Sequence, residues 1–382
     1  MTLRKITIKN TQDELGIVHQ LQEKNDPDSL RLKRFLAMPD LSRTPGSPIN
    51  ELIQRILALP EVQSFDDVEV PEIVPAAQSF DLFDFPADHP ARSKSDTYYV
   101  NDTHILRTHT TISWYYYLMS DEAKEKIKNN EPFGVLTYGK VYRKDEIDRH
   151  HMNVFHQIDG YYLAPKSLKT ITIEDLKEIL VKIAQAAFGK DVKYRFNEDK
   201  FPYTDPSLEM EVDKDGAWVE VLGSGVVKES VLKKLGVDSS NYTGWAFGFG
   251  LERLAIISME LPDIRLLWSD DERVKKQLQL GNKFKEVSKF PPITRDISFI
   301  VSQDFIPNNY FDLIRDLGGD LVEEVQLLDS YENVKKFGAD KKSYTYRIVY
   351  RSNERTLVSS EVDEIQAKIY DATKQQFGAE LR

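Results

Sequence analysis

Three stretches of this chain carry residues whose types and spacing could do chemistry. The first is a pair of β-rich runs, FGVLTYGKVYRKD over 133–145 and NVFHQIDGYYL over 153–163, joined by a charged connection. They read as an antiparallel hairpin. Side chains alternate across a strand, so Phe155, Gln157 and Asp159 share one face of the second run, and Val154, His156 and Ile158 the other. On the first run Arg143 and Asp145 share a face with Val141, opposite Tyr138 and Tyr142. One sheet surface would then carry an arginine, two carboxylates, an amide and an aromatic ring. Burying that set is costly unless a polar ligand or partner satisfies it.

The second stretch is GWAFGFGLER, from Gly244 to Arg253, a glycine-rich strand ahead of a helix that opens with an arginine. Glycines let a flat ligand lie on the backbone, and the arginine can pair with a phosphate. It lacks the third glycine and βαβ setting of a dinucleotide fingerprint, and no Gly-Lys-Ser/Thr follows. The third stretch is basic. Between 335 and 355, Lys335, Lys336, Lys341, Lys342, Arg347, Arg351 and Arg355 face only Asp340 and Glu354, with Tyr344, Tyr346 and Tyr350 interleaved. Such a strand edge suits RNA phosphates and unstacked bases. Six of the seven histidines fall between 89 and 156. They lack HExxH spacing, and hydrogen bonding to a polar substrate suits them better than zinc.

The elements that must position these residues follow from pattern. Residues 1–44 are polar and charge-rich and end in a Pro/Gly cluster, which marks a boundary. Ile49, Leu52, Ile53, Ile56, Leu57 and Leu59 then recur at helical spacing, with a stop at Pro60 and a loop-rich stretch through Pro90. Residues 172–188 predict a helix with Thr172 as N-cap, Asp175 three residues on and Gly189 past its end. Strands follow at 208–212 and 217–222, then the glycine approach and a helix over 251–260. A Lys- and Pro-bearing linker spans 281–292. Beyond it, strand 295–301, helix 308–317, strands 321–331 and 343–351, helix 360–377 and a short end strand give the ferredoxin-like order βαββαβ. The fold class is α+β.

Composition sets outer limits. The chain has 382 residues, 41% hydrophobic and 30% charged, and no cysteine, so disulfides and thiol catalysis are excluded. No apolar run approaches the ~20 residues of a membrane span. The net charge of −11 argues against indiscriminate nucleic-acid coating and leaves room for a local basic patch. The first residues, MTLRKITIKNTQDELG, have no long apolar core and make a poor leader. The expectation is a soluble intracellular protein.

Taken together these residues resemble class II aminoacyl-tRNA synthetases, and more narrowly the phenylalanyl-tRNA synthetases of the single-chain, mitochondrial type. The matching stretches are ADHPARSKSDTYYV (87–100), LRTHTT (106–111), GKVYRKDEIDRHHMNVFHQIDG (139–160) and FPYTDPSLEMEV (201–212). To these add WVEVLGSG (218–225), TGWAFGFGLERLAI (243–256), PDIRLLWSDDER (262–273), FPPITRDISFIV (290–301) and YTYRIVYRSNERTL (344–357). The resemblance covers residues 45–382 in order.

It implies an antiparallel catalytic domain over 45–280, the linker 281–292 and a ferredoxin-like anticodon-binding domain over 293–382. The implied activity is ATP-dependent activation of phenylalanine to its adenylate, then transfer to the 2′-hydroxyl of the terminal adenosine of tRNA(Phe). Arg143 would grip the α-phosphate and Arg253 the γ-phosphate, as the catalytic arginines. Phe155 would stack on adenine, His151 reach the phosphates, and Asp145 lie near the adenosine, with Gly248 and Gly250 also among the ATP-binding residues. His109, Thr111, Trp114, Gln157 and Asp159 would surround the amino acid's ammonium and carboxylate, with Phe201, Tyr203 and Ala246 around the phenyl ring. Lys341, Lys342, Arg347, Arg351 and Arg355 would meet tRNA. Mg2+ would bridge the ATP phosphates, with Asp205 and Glu220 as its candidate carboxylates. Catalysis would rest on positioning and charge neutralisation.

This sequence departs from the family at Thr111 (usually serine), Trp114 (glutamine), Tyr203 (phenylalanine) and His150 (small or polar). With residues 45–382 taken by the two matched domains, no editing domain is expected. The implied state is a monomer with no membrane partner, in a bacterial cytoplasm or, alternatively, the mitochondrial matrix. Two other readings compete: a catalytically silent synthetase-like binder of RNA or amino acid, and an adenylating enzyme that charges no tRNA. Both arginines weigh against the first, and the anticodon-like module against the second.

Overall fold

The computed structural model describes residues 3–286, 290–338, 340–352 and 354–382. Residues 287–289 of the expected linker and 1–2 of the expected extension lie outside these. The chain forms two compact units, one from residues 1–142, 154–261 and 278–283, the other from 143–153, 262–277 and 284–382.

The first unit opens with β1 (Arg4–Thr7), α1 (Gln12–Glu23), α2 (Pro27–Ala37), α3 (Pro48–Leu57) and β2 (Asp66–Glu69). Next come β3 (Ile73–Pro75), α4 (Ala76–Phe80), β4 (His104–Leu106), α5 (Ser113–Leu118) and α6 (Asp121–Lys128). The expected hairpin is β5 (Phe133–Tyr142) and β6 (Val154–Pro165), followed by α7 (Ile173–Phe188). Then follow β7 (Tyr194–Asp199), β8 (Thr204–Lys214), β9 (Ala217–Val227), α8 (Glu229–Lys234), β10 (Tyr242–Gly250) and α9 (Leu251–Met259). Eight strands make one sheet in the order β1-β2-β5-β6-β10-β9-β8-β7. β1 and β5 flank β2 in parallel, and the remaining pairs are antiparallel.

Local chemistry explains the helices. Pro48 starts α3 behind Ser47, whose hydroxyl accepts from the Ile49 amide, and Ile49, Leu52, Ile53 and Ile56 are fully buried. Thr172 and Asp175 close a capping box at α7, and Gly189 ends it at φ +96°. In β10, Trp245, Phe247 and Phe249 line one face, with ring centroids about 6 Å apart in sequence, 6.0 and 5.9 Å. The glycines and Ala246 occupy the other face.

The described part of the expected extension, residues 3–44, is built into this unit. β1 joins the sheet edge through the register Arg4↔Asp66 to Thr7↔Glu69. Buried Glu14 caps its own helix at Thr11 and accepts a hydrogen bond from the Tyr116 hydroxyl. Asp66, also buried, accepts from Tyr117 (2.5 Å), Lys126 (2.7 Å) and Arg4 (3.1 Å). The stretch expected as loop through Pro90 likewise holds β2, β3 and α4, short elements whose pairing is non-local.

The second unit contains α10 (Glu272–Lys275), β11 (Ile293–Ser302), α11 (Pro307–Gly318), β12 (Val322–Glu332), α12 (Val334–Phe337), β13 (Lys341–Tyr350), α13 (Ser359–Phe377) and β14 (Glu380–Leu381). Its antiparallel sheet runs β12-β13-β11-β14, the ferredoxin-like arrangement. The core gathers Ile297, Phe299, Tyr310, Ile314, Tyr346, Ile348 and Ile369. The connection 143–153 belongs here too: Ile147 is part of that core, and its carbonyl accepts from the Val325 amide at 2.9 Å. Among the described residues no helix is long and apolar enough to cross a membrane.

Candidate active site

The register of three strands lays out the first unit's polar face. Asp159 of β6 pairs with Gly248 of β10, which pairs with Gly223 of β9. Directly opposed residues share a face, so all three look the same way. A Cβ on Gly248 would lie 3.1 Å from Asp159 Oδ2, and one on Gly223 would strike the Phe201 ring at 2.6 Å. The glycines therefore make room at one end for a carboxylate and at the other for a ring lying on the backbone. Two strand spacings, about 10 Å, separate those ends. A Cβ on Gly250 would meet nothing within 4 Å, so that glycine opens onto free space beside Gln157.

Asp159 is 6% exposed. Thr111 Oγ1 donates to its Oδ1 at 2.7 Å, and Thr110 Oγ1 donates to Oδ2. Thr111 was expected here; Thr110 was missed, and the doubled threonine was its signal. Gln157 Oε1 is a buried acceptor that meets no donor among the described residues. His109 lies against the Ser79 carbonyl at 3.2 Å and stacks on Phe85 (5.9 Å between centroids). Phe201 and Tyr203 stack at 6.0 Å, and Tyr203 meets Phe85 at 6.1 Å and Phe83 at 6.4 Å. Phe83 and Phe85 escaped the sequence reading because they sit outside any periodic element. Ala246 is buried opposite Tyr161. Trp114 is 1% exposed, packed against Tyr161 (4.9 Å) and Phe83 (5.6 Å), so it backs this wall and offers no surface to a ligand.

The expected face of the hairpin is the observed one: Phe155 pairs with Val141, Gln157 with Gly139 and Asp159 with Thr137. His156 points the other way and is fully buried. Arg253 is half-exposed, its guanidinium 3.3 Å from the Glu220 carbonyl and 3.7 Å from that carboxylate. Asp205 and Glu220, each expected as a candidate magnesium carboxylate, are not brought together. Asp205 follows Thr204, which pairs with Val227, whereas Glu220 pairs with Glu211. Seven residues of ladder put them about 20 Å apart. Among the described residues no three His, Cys, Asp or Glu side chains cluster as a metal cage.

Arg143, Asp145 and His151 belong to the second unit. The strand β5 ends at Tyr142, short of the expected Asp145, but the Arg143 amide still donates to the Asn153 carbonyl at 3.0 Å. Asp145 Oδ1 accepts from the Glu146 amide at 2.9 Å. Asp148 meets His151 Nδ1 at 2.8 Å; burial pushes its carboxyl up, but the His150 amide and the His151 ring and amide hold it below the usual value.

The basic stretch differs from its sequence picture. Lys341 pairs with Glu380, Lys342 with Glu332 (3.1 Å), Arg347 with Asp296 (2.8 Å), Arg351 with Glu323 (2.8 Å) and Arg355 with Glu361 (2.7 Å). The acids come from other strands and from α13, so counting local charge overstated the positive excess. Tyr346 and Tyr350 are fully buried in the core and present no ring to a base.

Comparison with known proteins agrees with this architecture. Residues 36–278 match the tRNA synthetases class II core domain (F), and residues 288–382 the ferredoxin-fold anticodon binding domain. The chain is 41% identical to the chloroplastic/mitochondrial phenylalanine–tRNA ligase of Arabidopsis thaliana, over 84% of this chain and 70% of that protein. It is 37% identical to the mitochondrial phenylalanine–tRNA ligase of Mus musculus, over 76% of this chain and 69% of the relative. The mitochondrial enzyme of Saccharomyces cerevisiae is 34% identical, over 76% and 77% respectively. The chain thus belongs to the class II aminoacyl-tRNA synthetases and, within them, to the phenylalanine–tRNA ligase family.

Proposed function

We propose that this protein is a phenylalanine–tRNA ligase that activates phenylalanine with ATP and transfers it to the 2′-hydroxyl of the terminal adenosine of tRNA(Phe). One observation carries the amino-acid half of this reading. A buried carboxylate held by Thr110 and Thr111 lies about 10 Å from a glycine covered by Phe201, a span that suits an ammonium at one end and a phenyl ring at the other. Gln157 Oε1 supplies an acceptor beside Asp159, and Tyr203 and Ala246 complete the apolar end. The roles read for the nucleotide are Arg253 on the γ-phosphate, Arg143 on the α-phosphate, Phe155 against adenine, and Asp145 and His151 near the nucleotide. Both arginines stabilise charge as pyrophosphate leaves, with no covalent nucleophile. Magnesium would enter with ATP and neutralise its phosphates; Glu220, beside Arg253, is the remaining candidate carboxylate. No step is assigned to that ion.

The anticodon-binding match at 288–382 supports tRNA as the acceptor. The relatives' organellar names support the mitochondrial matrix over the cytoplasm, and a monomer is the working state. ATP–pyrophosphate exchange over the amino acids, with and without tRNA, is the test. Phenylalanine-dependent exchange followed by tRNA charging is expected. A preference for another amino acid would sink the substrate, and exchange without charging would sink the ligase.

A further inference from the structure

We infer that His156 and Glu252 form a positioning pair that fixes Arg253, and so controls the hold on the nucleotide without touching the amino acid. The inference rests on the proposed role of Arg253 as a phosphate-binding residue.

β10 pairs with β6 as far as Gly250↔Gln157 and then turns into α9. The next amide along β6, that of His156, has no β10 residue opposite it, its ladder partner Lys140 lying on the β5 side. The Glu252 carboxylate takes that place, with both oxygens 2.9 Å from the His156 amide nitrogen. Its Oε1 also lies 2.6 Å from His156 Nδ1. On the far side of the ring, Nε2 is 2.9 Å from the Leu41 amide. An amide N–H can only donate, so Nε2 is the acceptor, and Nδ1 carries the proton that Glu252 receives. One neutral tautomer fits these hydrogen bonds, with Asp40 Oδ1 a longer contact at 3.4 Å from Nε2. His156 is 0% exposed and Glu252 3%.

The two partners neighbour the residues that matter. His156 lies between Phe155 and Gln157; Glu252 immediately precedes Arg253. Helix α9 has Gly250 as its N-cap, without a side-chain cap. Glu252 therefore supplies the first turn's anchor, and an acid there suits the helix dipole. Arg253 itself is 54% exposed, with long contacts to Glu220, so its place is set by the backbone that carries it. A shift of about 1 Å in such a group can cost on the order of 100-fold in rate.

Glu252→Gln removes the charge and leaves one acceptor oxygen for the two His156 donors, with an NH2 facing the His156 amide where the second oxygen stood, so the pair is weakened. In ATP–pyrophosphate exchange, KM for ATP should rise about 10-fold or more while KM for phenylalanine stays within about twofold. The 15N spectrum of His156 should lose its single Nδ1–H tautomer. Glu252→Asp keeps the charge one methylene back and should give a smaller rise in the same direction. If either folded variant raises both KM values together, or lowers only the melting temperature, the pair merely holds the fold and the inference falls. If neither variant folds, it falls as well. Arg253→Ala is run alongside. Near wild-type exchange in that variant overturns the phosphate role itself. Lost exchange there, with KM for ATP unmoved by the Glu252 variants, overturns the pair alone.

Discussion

In the first unit, Asp159 sits buried on a sheet face with two threonine hydroxyls on its carboxylate; in the second, each of the five cations at 341–355 read as RNA contacts is matched by an acid. In the proposed reading the buried carboxylate receives a ligand that brings the opposite charge, and the two hydroxyls orient it. The ion-paired strand shows charge that is already balanced and half-wet. At the exposed pairs a ligand must compete with acids that cost little to displace; Glu323, only 5% exposed, is the exception among the five. Burial, and not the number of charges, separates the two regions.

The largest effects should come from the nucleotide arginines. Arg143→Ala and Arg253→Ala should each lower phenylalanine-dependent pyrophosphate exchange roughly 100- to 1,000-fold with the fold intact, the scale of losing one charge-stabilising contact. Exchange within about threefold of wild type for either would remove that residue from the reaction.

A second test asks what a buried carboxylate is worth when its partners are inside the protein. Burial pushes the Asp66 carboxyl up, but Lys126, Tyr117 and Arg4 outweigh it and hold the group below its usual value. A depressed carboxylate stabilises the fold above its unfolded value, and that contribution is lost as pH falls through the folded one. The first unit should therefore weaken below about pH 4. Asp66→Asn should cost about 3 kcal/mol at neutral pH and flatten that acid limb. Denaturant unfolding from pH 3 to 7 measures both; an unchanged limb would mean Asp66 is a bystander.

This residue also shows where the sequence was opaque. Asp66 and Asp67 look like loop residues, since nothing local can pay for burying two acids. Their partners arrive from 62 residues upstream, in β1, and from α5, α6 and β5. By contrast, the βαββαβ order, the α7 capping box and the Phe155–Gln157–Asp159 face were legible because each depends on spacing of a few residues. The glycine strand was legible for the same reason. What escaped were the aromatic residues of the 80–85 segment, the second threonine, and the acids opposite the basic stretch. Those contacts join residues far apart in the chain, and no local period announces them.

A third test moves to the second unit. Reversing Lys341, Lys342 and Arg347 to Glu should leave adenylate formation intact and lower tRNA charging on the order of 10- to 100-fold, with a shallower salt dependence. Each reversal also sets an acid against its former partner, so Glu332→Gln with Asp296→Asn is the sharper control: it frees two cations and should tighten tRNA binding. If neither set moves charging, the stretch is a solvated face.

The smallest effect should be on stability, in the same unit. Arg347 makes two 2.8 Å bonds to Asp296, and these hold the Asp296 carboxyl below its usual value. The sign matches that of Asp66: support present at neutral pH and lost as acid protonates the carboxylate. The size should not match. Both side chains are more than two-fifths exposed, 41% for Arg347 and 45% for Asp296, so water and salt already screen the pair. Asp296→Asn should shift the second unit's melting temperature by no more than about 2 °C, and high salt should erase the shift. A drop as large as that of Asp66→Asn would mean that paired surface charge, and not burial, sets the energetics of both units, and the contrast between them would collapse.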